Sequence, residues 1–86
     1  MLLVTAATRD EAENLGEALV GQGLAQRGSV IPVIHSFWMV EDKLERSHEA
    51  MLLVTTTTDK ATAATAYVRA NHSFEEPQIV LLPLGE

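Results

Sequence analysis

The first five residues of the chain return unchanged in its second half. Met1–Thr5 reads Met-Leu-Leu-Val-Thr, and Met51–Thr55 has the same residues in the same order. In a chain of 86 residues, a repeat at this spacing predicts two similar half-units within one small domain. Each copy is short and apolar, which is typical of a β-strand.

The segment after each copy carries the signals of a helix start. Thr8-Arg9-Asp10-Glu11 fits the capping box S/T-x-x-E, in which the Thr hydroxyl and the Glu carboxylate bond to unpaired backbone N–H groups. In the second half, Thr58-Asp59 can cap a helix that runs to about Asn71. Apolar residues follow at helical spacing, namely Ala12, Leu15 and Leu19, with Ala18 as an additional candidate, in the first helix and Ala61, Ala64 and Val68 in the second.

Each helix leads into a further apolar segment, so we expect strands near residues 1–5, 29–41, 44–57 and 78–83. This order predicts an α+β fold: a ferredoxin-like βαβ-βαβ sandwich with a four-stranded antiparallel sheet and two helices on one face. We expect strands one and three at the centre of the sheet, parallel to each other. The polar break at Glu41-Asp42-Lys43-Leu44 predicts a hairpin turn between strands two and three. Residues 1–86 then form a single domain.

The strands also predict an oligomer. All four contain continuous apolar runs, the pattern of a sheet that is buried on both faces. Two helices cover only one face, and copies of the same chain are the simplest cover for the other. The alternative interpretation is that short apolar runs only reflect high β-propensity. Large apolar side chains dominate interface cores, and we expect the interface to include Phe37, Trp38, Met39 and Val40.

Charge and composition exclude several functional classes. The net charge is −6, and the six Lys and Arg residues form no run, so nucleic acid and anionic membranes are not expected partners. The absence of cysteine excludes disulfides and a Cys nucleophile. The apolar N-terminus has no basic region or cleavage motif, and no apolar run is long enough to span a bilayer. We therefore predict a soluble, cytoplasmic protein.

The polar residues suggest binding rather than catalysis. No serine lies in a nucleophile motif, and we predict that the chain is not an enzyme. His72 is the leading metal-ligand candidate, because it follows a helix in a loop and imidazole binds copper or zinc; Glu75 would add a carboxylate. A turn near Asp42-Lys43 would place His35 and His48 diagonally on one face of the hairpin, as a second candidate site or as exposed or interface polar residues.

Segments along nearly the whole chain resemble the CutA family of divalent-cation tolerance proteins. Ile31-Pro32 followed by Ser36-Phe37-Trp38 resembles the family's I-P and S-x-Y/W strand. Glu41-Asp42-Lys43-Leu44-Glu45 resembles its W-E-G-K-x-E turn, with Val40 at the aromatic position. The most specific match is His72-Ser73-Phe74-Glu75-Glu76-Pro77-Gln78-Ile79, which continues to Pro83 and resembles H-P-Y-x-x-P-E-I-x-x-L-P.

The resemblance implies a ferredoxin-like homotrimer that binds divalent metal, with Cu²⁺ as the expected ion, and His72 as the family's loop histidine. The 29–57 hairpin would form the seam between subunits, and the resemblance leaves room for an unidentified protein partner. Two alternatives stay open: a regulatory module like the PII proteins, which binds small molecules between subunits, or a structural trimer that has lost its ligand. The last gains support where Thr55, Phe74 and Gln78 replace the family's Lys, Tyr and Glu.

Overall fold

The order of the elements is the predicted one. A computed structural model describes residues 1–74 and 77–83 of the chain. The elements are β1 (Leu2–Ala6), α1 (Arg9–Gly21), β2 (Arg27–Val40), β3 (Lys43–Thr55), α2 (Thr58–Asn71) and β4 (Ile79–Leu81). The first three strands lie within about two residues of their predicted bounds, and β4 is shorter than expected.

The four strands form one sheet in the order β2-β3-β1-β4. Every neighbouring pair is antiparallel, which confirms the ferredoxin-like fold class. The prediction that strands one and three are parallel is wrong, since β1 pairs with β3 from Leu2↔Val54 to Ala6↔Ala50. The physical reason is the connection: the α1 crossover makes β1 and β2 parallel, and β3 returns from β2 through a tight hairpin between them.

Both helices pack on one face of this sheet and share a single core. Alternate residues of β1, and of the part of β3 that pairs with it, face the helices and are fully buried, as strand geometry requires. The capping box is confirmed in part, because the Thr8 hydroxyl accepts a hydrogen bond from the Glu11 amide at 3.1 Å. The cap of α2 is Thr57 instead of Thr58, and its hydroxyl makes no capping bond. The core residues are Leu2, Val4, Ala6, Ala12, Leu15, Leu19, Ala25, Ala50, Leu52, Val54, Ala64 and Val68.

The β2–β3 hairpin is much longer than the rest of the sheet. Ile31 pairs with Met51 and Ile34 with Glu49, so that two β2 residues, Pro32 and Val33, lie opposite one β3 residue in a β-bulge. We call the segment beyond this bulge, residues 34–49, the hairpin arm. Its side chains are mostly exposed.

The turn at the tip of the hairpin arm contains two residues. Val40 pairs with Lys43, and the residues between them, Glu41 and Asp42, have φ angles of 47° and 69°. A two-residue hairpin loop with both φ angles positive matches the twist of the strands that it joins. The turn therefore lies one residue earlier than the predicted centre near Asp42-Lys43, and this shift changes every pair along the arm.

The sheet face that points away from the helices, which we call the open face, is also apolar. The alternating pattern places a row of apolar side chains on it, none of which the helices cover. Ile31, Trp38 and Val80 are each more than two fifths exposed. The row consists of Leu3, Ile31, Trp38, Met51, Leu53 and Val80.

Neither helix of the described residues is long and apolar enough to cross a membrane.

Candidate functional site

His72 lies directly after α2, and its side chain is completely buried. Its Nε2 is 2.7 Å from the backbone oxygen of Thr5 in β1, and its Nδ1 accepts a hydrogen bond from the Phe74 amide at 3.0 Å. An amide only donates and a carbonyl only accepts, so these two partners assign the ring proton to Nε2. The imidazole is thus neutral, and both of its nitrogens are engaged.

Glu11 connects the start of α1 to the loop that contains His72. One carboxylate oxygen accepts from the Ala7 amide at 2.9 Å and from the Ser73 hydroxyl at 3.0 Å. The other accepts from the Ser73 amide at 2.7 Å and lies 3.8 Å from Nδ1 of His72. We call Glu11, His72 and Ser73 the loop junction. It fixes the loop after α2 against the first half of the repeat.

The environment of Glu11 favours its charged form. Burial by itself raises the pKa of this carboxyl, but the hydrogen bonds from Ala7 and from the amide and hydroxyl of Ser73 outweigh it. The pKa of Glu11 is consequently lowered from its ordinary value. The junction therefore pairs a neutral buried imidazole with an ionised carboxylate whose oxygens already have donors.

These contacts do not fit a resident metal ion at His72. A neutral imidazole binds a metal through its unprotonated nitrogen, and here that nitrogen accepts the Phe74 amide proton. Across residues 1–74 and 77–83, no group of three or more His, Asp or Glu side chains converges. Glu75, the other predicted ligand, lies outside the described residues. Metal ligation by His72 and Glu75 stays a prediction, and it requires the Phe74 bond to be exchanged for the ion.

A cleft of about 470 Å³ opens on the other side of β1, at the open face. Gln78 and Thr5 line it. Thr55 is not at the cleft, because it lies four residues along β3 from Met51, the strand partner of Thr5, which is a distance of roughly 13 Å. Phe74 stacks near His72, with ring centroids 4.8 Å apart. One subunit therefore does not bring Thr55, Phe74 and Gln78 together. The cleft is lined by Thr5, Ser36, Phe37, Trp38, Glu49 and Gln78.

His35 and His48 form a direct cross-strand pair on the hairpin arm. The predicted diagonal placement is wrong, because the earlier turn puts the two residues opposite each other. Their ring centroids are 4.5 Å apart, with 42° between the ring planes. Both residues are exposed. The sequence thus predicted that these two histidines lie near each other, and the structure shows a direct pairing instead of a diagonal one.

The four predicted interface residues also lie on the arm, on both of its faces. Trp38 and Val40 are on the open face, and Phe37 and Met39 are on the face of the two histidines. All four are exposed to solvent in the single chain, Phe37 most of all. Their position at the end of a projecting hairpin makes them available for contact between subunits, which stays a prediction.

The role of Glu11 in the loop junction was missed by the sequence. The capping box identified this residue, but as a partner of its own helix end. The bonds to Ser73 join positions 62 residues apart, and no local pattern encodes such a contact. The available signal was the antiparallel order itself, which brings the loops after β1 and α2 to the same end of the sheet.

Comparisons with known proteins agree with the fold. A family model described as CutA1 divalent ion tolerance protein matches residues 1–86. A divalent-cation tolerance protein CutA of Yersinia pestis (strain Pestoides F) is 31% identical over 86 residues, which cover 100% of this chain and 72% of the relative. A divalent cation tolerance protein, Cut A1, from Thermus thermophilus has a TM-score of 0.91 at 30% identity, with 99% of this chain and 82% of that chain covered. A structure described as a periplasmic divalent cation tolerance protein CutA from Archaeoglobus fulgidus has a TM-score of 0.91 at 29% identity, with the same coverage.

Proposed function

This chain belongs to the CutA1 family of divalent ion tolerance proteins, and from that premise we propose that it acts in divalent-cation tolerance as a homotrimer that binds copper. It acts by binding a cation and not by catalysis. Cytoplasmic location stays the prediction of the sequence, whereas the relative from Archaeoglobus fulgidus is described as periplasmic.

The observation that carries the assembly is the apolar open face. A row of apolar side chains runs across β1, β3 and β2 on the side without helices, and Trp38 is 45% exposed there. A contiguous row of exposed and half-buried apolar side chains is typical of an interaction site. Burial between copies removes this apolar surface from water and stabilises the assembly by about 25 cal/mol for each Å². The hairpin arm adds two long strands whose outer backbone groups are open to pairing.

Sedimentation velocity tests the assembly. We expect a species of about 28 kDa, three times the 9.4 kDa chain. Trp38→Glu introduces a charge on the open face and should shift the distribution toward smaller species. Val20→Glu is the matched control, because Val20 is exposed to a similar degree, at 40%, but lies on α1. A folded wild-type monomer at micromolar concentration, or an equal effect of both variants, would contradict the proposal.

Calorimetric titration with Cu²⁺ tests cation binding. The wild type should bind, and the comparison with His72→Ala decides whether His72 contributes a ligand. Equal heats for the two proteins would remove His72 from the metal site. A stabilising hit in a thermal-shift screen with nucleotides, in the absence of copper binding, would instead favour the alternative of a PII-like small-molecule module.

Tolerance itself is tested in cells that lack their own CutA protein. Expression of this chain should restore growth at raised copper concentration toward that of the parent strain. Expression of Trp38→Glu, at the same protein level, should restore less if the trimer is the active form. Growth that is unchanged by the wild-type chain would contradict a role in tolerance.

A further inference from the structure

The hairpin arm carries two imidazoles that the loop junction does not use. His35 on β2 and His48 on β3 are opposite each other in the register, and both side chains point to the same face of the arm. In the part of the chain that the structure describes, neither ring is in a hydrogen bond or an ion pair. Each neutral ring therefore has one nitrogen lone pair available.

The distance between the rings matches two ligands of one ion. Imidazoles bound at adjacent positions of a metal, with nitrogen–metal bonds of about 2.0–2.1 Å, have ring centroids roughly 4.5–5 Å apart. The observed centroid distance is 4.5 Å. Both rings are exposed in the single chain, so an ion reaches them without any opening of the subunit's fold. A rigid pair of strands holds them, which lowers the entropy cost of bringing two ligands to one ion.

We propose that His35 and His48 together bind one divalent transition-metal ion, copper most tightly, at the surface of the hairpin arm. Imidazole is a preferred ligand of Cu²⁺, and copper leads the affinity order of the divalent first-row ions. The two rings supply two adjacent coordination positions, and water completes the sphere. This inference rests on the proposed cation binding and names a place for it that is separate from His72.

The positive charge of one neighbouring side chain, Arg46, disfavours a cation at this site. Arg46 is opposite Phe37 in the register, on the same face as the histidines and two residues from His48, or roughly 6–7 Å along the strand. Its positive charge lowers the affinity for a cation by simple repulsion, an effect that salt screens. The carboxylates of Glu45 and Glu49 are on the opposite face of β3 and do not compensate it. Replacement of Arg46 should therefore strengthen the site.

The experiment is a Cu²⁺ titration of the full chain near neutral pH, with the metal alone as the probe, because a metal binds the neutral form of imidazole. We compare the wild type with His35→Asn, His48→Asn, the double variant and His72→Ala. Each single arm variant should lose about 100-fold in affinity, because the second ligand of a chelate binds at high effective concentration. The double variant should bind no copper at the arm, since each single variant keeps the weak binding of one imidazole and the double variant keeps none.

Electron paramagnetic resonance identifies the ligands directly. The wild-type spectrum should show coupling of copper to two imidazole nitrogens, and each single arm variant should lose that pattern. Arg46→Gln should tighten binding roughly two- to five-fold at low salt. The exposed positions of both histidines allow these variants to fold, which circular dichroism and sedimentation verify before titration.

The outcomes separate this inference from the proposed function. Copper binding that is unchanged in both arm variants but lost in His72→Ala overturns the histidine-pair site and leaves cation binding intact. A wild-type chain that binds no copper overturns both. Two copper sites in the wild type, each with one coupled nitrogen and each abolished by only one of the single variants, would show independent weak sites and also overturn the pair.

Discussion

The two histidine sites of this molecule use the same side chain in opposite ways. At the loop junction, the ring of His72 is buried and both nitrogens have hydrogen-bond partners in the backbone. On the hairpin arm, His35 and His48 are exposed and face each other. A buried imidazole whose bonds are complete stabilises a fold, because every polar group in a low-dielectric interior needs a partner. An exposed pair with free lone pairs contributes little to stability and is available to a ligand.

This contrast teaches that the position of a histidine in the sequence does not decide its role. His72 is in a loop, where ligands are often found, yet both of its ring nitrogens have backbone partners. The arm histidines are in regular strands, yet they are the pair with open coordination positions. The number of unsatisfied nitrogens, and not the element that carries them, distinguishes the two sites.

The strongest test of the contrast is His72→Ala. Removal of the ring leaves the Thr5 oxygen and the Phe74 amide without their partner and creates a cavity behind α2. We expect a loss of about 2–4 kcal/mol in the free energy of unfolding. Urea denaturation at fixed protomer concentration measures it. A loss below that of His35→Ala would show that the junction is not what holds the loop.

Glu11→Gln gives the next largest effect. The amide group of glutamine presents N–H donors where the carboxylate accepted from Ala7 and Ser73, so one of those donors loses its partner. The expected loss is about 1–3 kcal/mol at neutral pH, by the same denaturation measurement. Equal stability of the variant and the wild type would contradict the assigned bonds.

The stability difference between the wild type and Glu11→Gln should depend on pH. The folded pKa of Glu11 lies below its unfolded value, so the unfolded state binds more protons, and stability rises with pH in this range. The contribution is complete above the unfolded carboxyl pKa of about 4.3 and is lost as the pH falls through the lower folded pKa. The stability gap between wild type and Glu11→Gln should therefore be constant down to about pH 5 and narrow below pH 4. A gap that is unchanged at pH 3 would contradict it.

Ser73→Ala should have a smaller effect. It removes the hydroxyl that donates to Glu11 at 3.0 Å but keeps the stronger amide bond at 2.7 Å. Because Ser73 is exposed, water replaces the lost donor, and we expect about 0.5–1 kcal/mol. A loss as large as that of Glu11→Gln would place most of the junction's stability in the hydroxyl.

The smallest effect belongs to the arm. His35→Ala and His48→Ala, measured without metal, should stay within about 0.5 kcal/mol of the wild type. Addition of Cu²⁺ should raise the unfolding temperature of the wild type and of neither variant, since a ligand of the folded state stabilises by mass action. His72→Ala should show the reverse: a large loss of stability without metal, and an unfolding temperature that still rises on addition of Cu²⁺.

Much of the fold was predictable because it depends on repeated local signals. The Met1–Thr5 and Met51–Thr55 repeat, followed each time by a capped apolar helix, specifies two βαβ halves and the class of sheet. The prediction for the direction of the central strands was wrong, because that direction depends on how one half inserts into the other and not on any residue within β1 or β3. The helix faces, by contrast, were predictable: every apolar position named for them with helical spacing is buried except Ala18, which is half-buried, and α1 also buries Gly16, which has no apolar side chain for the pattern to detect.

The sites were less predictable for a geometric reason. A shift of the turn by one residue, to Glu41 and Asp42, changes the pairing of His35 from diagonal to direct. The sequence signal for the position of this turn was Asp42, which stands where the family has a glycine and has a positive φ angle. The bonds of His72 depend on carbonyl and amide groups of β1 and the following loop. Backbone groups have no sequence signature, so the state of that ring became visible only with the fold.

The β-bulge at Pro32 and Val33 determines which side of the arm each later residue of β2 faces. Past this extra residue, odd positions of β2 share a side with the histidines and even positions share a side with Trp38. Evolution can therefore alter the two sides independently by substitution, but a single residue inserted between the bulge and His35 would turn over the β2 side chains that follow it while β3 keeps its own. His35 would then no longer share a side with His48, whereas a two-residue insertion would keep every β2 side chain on its present side. Length changes in this hairpin should accordingly be tolerated in even steps.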